Sequence, residues 1–159
     1  MRRLALVSVL VAVTLTATAQ VLTPNAISAA ISAEGSTTVV RRLWADGSYE
    51  HVLDRVASGD SAWISLAPKL AAGADAAASE GLGVALARAL PRNANAVLSV
   101  LNAERPAISP DRVCGLPFVE GSIDDISAYR RDATAAVTSV NDGALRQRRA
   151  ECLAALQQH

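Results

Sequence analysis

Glycine followed by a small polar residue recurs through the first half of the chain. Gly35-Ser36, Gly47-Ser48 and Gly59-Asp60 fall in steps of 12 residues, and Gly73-Ala74-Asp75 follows 14 later. Glycine just past a helix takes the left-handed geometry that other residues resist. A neighbouring Ser or Asp can accept the first free N–H groups of the next helix. Each mark therefore closes one helix and opens another. That spacing confines the helices to about 10 residues, or roughly 15 Å each.

Apolar residues between the marks fall on single faces. Val39, Val40, Leu43 and Trp44 form one, then Tyr49, Val52, Leu53 and Val56, then Trp63, Leu66, Ala67 and Leu70. Pro68 predicts a kink or split in the third, because proline removes a helical N–H and clashes with the preceding turn. A longer helix should follow Asp75, with Leu82, Ala85, Leu86, Ala89 and Leu90 inward and Pro91 ending it. Asn93 or Asn95 can cap the next, which carries Val97, Leu98 and Leu101. Alanine, the best helix former, occurs 33 times, and no stretch alternates at period two.

Beyond Leu101 the character changes. The stretch NAERPAISPDRVCGLPF holds Pro106, Pro110 and Pro117 and reads as an irregular crossing loop. A long helix is expected from about Ser122 to Asn141, with Ile126, Tyr129, Ala133, Ala136, Val137 and Val140 inward. After a turn at Asn141-Asp142-Gly143, a last helix carries Leu145, Cys152, Leu153 and Leu156. The expected fold is all-α: five to seven short antiparallel helices in a compact bundle or a short αα-solenoid. The solenoid resembles HEAT-type organisation in outline, but the 12-residue step gives helix pairs of about 24 residues, shorter than standard repeats.

The N-terminus, MRRLALVSVLVAVTLTATAQ, sets Arg2 and Arg3 before an apolar run and ends in Ala17-Thr18-Ala19. A positive start, an apolar centre and small residues at the cut are the parts of a secretory signal peptide. Residues 1–19 are read as that leader, cleaved after Ala19. Residues 20–35 are read as a partly helical or flexible segment, and 36–159 as one helical domain. The alternative is an inner-membrane anchor formed by residues 4–23. A spanning helix needs about 20 predominantly apolar residues, and Thr14, Thr16, Thr18, Gln20 and Thr23 dilute this one. Without Arg2 and Arg3, 13 basic side chains face 15 acidic ones. Nucleic acid is excluded as a ligand, since phosphate binding needs a concentrated positive field.

Export decides how the only two cysteines are read. Thiols outside the cytoplasm tend to pair, so Cys114 and Cys152 are expected to form one disulfide. There is no C-x-x-C pattern for a metal.

The remaining polar residues offer weak chemistry. Gly59-Asp60-Ser61 resembles the nucleophile block of GDSL-type hydrolases, but it follows a helical stripe and the only late histidine is His159. His51 shares a helical face with Asp54 and Arg55, predicting a hydrogen-bonded surface trio. Asp124 and Asp125 suit the start of a helix. Adjacent helical residues point about 100° apart, so the two would not converge on one substrate. No catalytic residue, metal ligand or cofactor site is assigned. Arg130, Arg131, Arg146, Arg148 and Arg149 make the last two helices locally basic and form a candidate interaction patch for an acidic partner or an anionic envelope polymer. Trp44 and Trp63 are expected as core anchors.

These features favour an exported, non-enzymatic protein-binding module of the bacterial envelope, of inhibitor, immunity-like or adaptor type. Its partner would be another envelope or secreted protein. The alternatives are a periplasmic hydrolytic or lytic enzyme using carboxylates such as Asp124 and Glu120, and an N-terminally anchored structural protein.

Overall fold

A computed structural model describes residues 22–119 and 122–158. The leader therefore lies outside the described residues, as does all of the alternative anchor except Leu22 and Thr23. All regular secondary structure of the described chain is helical, with no strand among the described residues. Its helices are α1 (Pro24–Glu34), α2 (Ser36–Ala45), α3 (Ser48–Ala57), α4 (Ser61–Ile64), α5 (Ala67–Ala71), α6 (Ala76–Ala89), α7 (Ala94–Val100), α8 (Pro110–Cys114), α9 (Ile126–Thr138) and α10 (Arg146–Gln157). Two 3-10 turns, Pro106–Ile108 and Gly143–Leu145, precede α8 and α10.

There are more segments than the five to seven expected from sequence, for three local reasons. Thr23 accepts the Ala26 N–H, and Pro24 takes the first helical position, so α1 forms inside the 20–35 segment. Pro68 splits the third stripe into α4 and α5. Ser109 caps α8 inside the stretch read as a loop, with Pro110 pre-set for a first turn.

The three 12-spaced glycines all have positive φ: 84° at Gly35, 78° at Gly47 and 87° at Gly59. Their polar partners divide by type. Asp60 and Asp75 cap α4 and α6 through Ala62 and Ala78. Ser36 and Ser48 instead sit inside their helices, with no side-chain cap at either start. Asp46 accepts the Ser48 N–H, which holds its carboxyl below the ordinary carboxylate value. Gly73 works by close approach, since a Cβ there would lie 2.2 Å from the Ser36 carbonyl carbon.

α6 organises the interior. It packs against α3, α5, α7, α8 and the first 3-10 turn, and buries Leu82, Leu86, Ala87, Ala89 and Leu90 completely. Both tyrosine hydroxyls donate to α6 carbonyls, Tyr49 to Ala78 at 3.0 Å and Tyr129 to Ala87 at 2.8 Å. Burial raises both phenols well above the ordinary value of 10.0. At the end of α6, Arg92 donates to the Ala57 carbonyl and Asn93 to that of Gly59, tying this corner to the end of α3. Asn93, not Asn95, caps α7.

Cys114 and Cys152 are bonded, with Cα atoms 5.3 Å apart, and both are fully buried. The bond joins the end of α8 to the middle of α10. Two expectations about α9 need correcting. It spans Ile126–Thr138 rather than Ser122 to Asn141: Asp125 caps its start through the Ala128 N–H, and the Ser139 N–H closes its end on the Ala135 carbonyl. Its first turn overhangs the neighbours that bury Ala133 and Val137, so Ile126 is 40% exposed rather than inward.

Candidate functional site

The residues singled out from the sequence do not gather in one place. Asp124 is exposed and Asp125 is engaged as a helix cap, while Glu120 and His159 lie outside the described residues. The predicted His51–Asp54–Arg55 trio is replaced by another arrangement. Arg55 turns to Asp60, at 3.5 Å, and lies over the Trp63 ring, 5.8 Å from its centroid. His51 meets the edge of the same ring. Both side chains meet the buried indole of α4. Asp60 thus caps α4 and pairs with Arg55, leaving the Gly59-Asp60-Ser61 block structural.

The arginines of α9 and α10 have separate partners. Arg148 donates to the Ser99 carbonyl at 3.2 Å, and Arg149 to that of Val140 at 2.6 Å. Both close helix ends, where free carbonyls collect. Arg130 is half-buried, and Arg131 and Arg146 are exposed.

The two tryptophans diverge. Trp63 is buried, as expected of a core anchor, but Trp44 is 46% exposed. It follows Leu43 by one residue, a turn of about 100° around the helix, which carries it past the buried face. It leans on Tyr49 at a ring-centroid distance of 5.6 Å and stands at the head of a groove.

That groove runs between α3 and α6 and encloses about 380 Å³. Leu53, Gly81, Val84 and Ala85 form its floor, and Glu50 and Asp54 stand on the α3 wall. Glu80 and Arg88 stand on the α6 wall, and Pro117 and Val119 close the far end. Val119 is 71% exposed. Gly81 sets the depth: a Cβ there would sit 2.8 Å from a Leu53 methyl. An alanine there would push the Leu53 methyl aside and make the trough shallower at that point. Among the described residues, neither Glu50, Asp54 nor Glu80 forms an ion pair.

The sequence carried a signal for this groove that stripe counting missed. Ala77, Gly81 and Ala85 recur every fourth residue on α6, a line of small side chains where another helix can lie close. The lining holds no histidine, cysteine or nucleophile–base pair. What it offers chemically is apolar contact bordered by negative charge. No family model, curated protein or solved structure matches the chain.

Proposed function

We propose that this chain is an exported, disulfide-closed helical protein of the bacterial cell envelope that acts by holding another protein. Inhibitor, immunity-like and adaptor roles all fit that mode. The observation that carries the reading is the α3–α6 groove, where a half-exposed tryptophan heads an apolar trough facing solvent. Exposed aromatic anchors beside apolar pockets are where binding energy concentrates in protein interfaces.

A further feature supports export: the buried Cys114–Cys152 bond suits an oxidising compartment.

The test is photo-crosslinking in the native host, with a crosslinking side chain placed at Val84 on the groove floor. The expected result is a discrete protein adduct in the envelope fraction, on a product whose first residue is Gln20. A product retained in the cytosol with residue 1 intact would overturn the export reading. Absence of any adduct would overturn the binding reading. The arginine face provides the comparison: a crosslinker at Arg131 that captures the partner while Val84 does not would move the interface to α9 and α10.

A further inference from the structure

We infer that the α3–α6 groove takes a cationic amphipathic helix from its partner. This deepens the reading above by naming the chemistry of the bound segment. Three observations carry it: the dimensions of the trough, its secondary-structure setting and the sign of its walls.

From Ala77 to Arg88 the groove follows α6 for about 16 Å, or three helical turns. An incoming helix of similar length can lay one apolar stripe along Leu53, Gly81 and Val84 and end against Trp44. The all-helical frame presents no strand edge among the described residues for an extended peptide to join, and an apolar trough between two helices has the form that helix-in-groove docking uses. Glu50 and Asp54 on one wall and Glu80 on the other border the apolar floor. All three are exposed and without an ion pair among the described residues. The single basic side chain of the lining, Arg88, is at the far end, donating to the Ser122 carbonyl at 3.4 Å. A helix with lysine or arginine flanking its apolar stripe meets opposite charge on both sides. An acidic helix meets like charge along most of the length, which costs affinity and slows encounter.

The experiment uses the oxidised chain from Gln20 onward and two synthetic fluorescent helices of about 14 residues. Both carry leucines at i, i+4 and i+7; one has lysines flanking the stripe and the other has glutamates. Fluorescence anisotropy should show the lysine peptide binding at least about tenfold more tightly than its twin, with the difference shrinking as salt screens the walls. Glu50→Lys with Glu80→Lys should lower affinity for the lysine peptide by about tenfold or more and raise it for the glutamate peptide. Both positions are exposed, and an unchanged thermal melt verifies the fold of the double variant. Equal binding of the twins, no binding of either, or indifference to the double variant would each overturn the inference. So would sedimentation showing self-association of the chain alone that Glu50→Lys with Glu80→Lys abolishes, because a second copy would then be the occupant. If the peptides discriminate as expected but no adduct forms in the native host, the reading of a protein-holding role fails and the charge preference of the groove stands.

Discussion

Tyr129 repairs a defect that Pro91 creates. A carbonyl at the end of a helix is normally met by the N–H four residues on, and for Ala87 that residue is Pro91, which has none. The Leu90 N–H and the Tyr129 hydroxyl meet it instead. Tyr129→Phe should therefore lower stability by about 0.5–1.5 kcal/mol, the net worth of one hydrogen bond where the Leu90 N–H still meets the carbonyl, as read from the urea midpoint. Tyr49 and Tyr129 also set an alkaline limit. Both phenols titrate higher in the folded chain than when unfolded, so their contribution is complete below about pH 10. Above it the unfolded chain sheds these protons first, and stability falls by up to about 1.4 kcal/mol per pH unit for each tyrosine. Urea midpoints from pH 8 to 11 should show a flat region followed by a decline, and Tyr49→Phe should make the decline shallower. The glycines should separate in the same assay. Gly47→Ala meets open space and bears only the strain of a left-handed backbone, about 1 kcal/mol. Gly73→Ala would drive a Cβ into the backbone at Ser36 and should cost about 3 kcal/mol or more, beyond the usual range of surface changes.

At the scale of elements, the disulfide joins α8, a helix of 5 residues, to α10. So short a helix has little stability of its own, and it holds its place by burying Val113 and Cys114. Closing a loop over a separation of 38 residues is worth about 4 kcal/mol on the chain-entropy model. Cys114→Ser with Cys152→Ser, or reduction of the wild-type chain, should lower the melting temperature by roughly 10 °C or more, measured by circular dichroism. The sequence disclosed these elements unevenly. Stripes such as Tyr49/Val52/Leu53/Val56 placed α3 correctly, because a helix buried on one face must repeat its apolar residues at that period. The break at Pro68 was equally legible. α8 was not, since proline at the first helical position and proline in a loop look alike until the Ser109 cap is seen. Trp44 and Ile126 were misplaced because a one-residue step, or a helix start shifted by one turn, changes which side faces inward. The groove escaped notice because it depends on how α3 and α6 meet, and neither helix's own pattern contains that crossing.

For the molecule as a whole, the division of labour is spatial. α6 and the disulfide-tied helices supply rigidity, while the α3–α6 groove and Trp44 face solvent. Trp44→Ala should therefore separate binding from folding: the thermal melt should shift little, and yield of the Val84 adduct should drop severalfold. A melt that falls as far as that of the cysteine double variant would place Trp44 in the framework instead. The cross-link also imposes an order on biogenesis. A ribosome reaches Cys152 only after every residue of α1 through α9 has been made, so Cys114 has no mate within its own chain while the next 38 residues are added. The seam can be sewn only when the last helix arrives, and any product truncated between the two cysteines leaves a lone thiol for quality control to find.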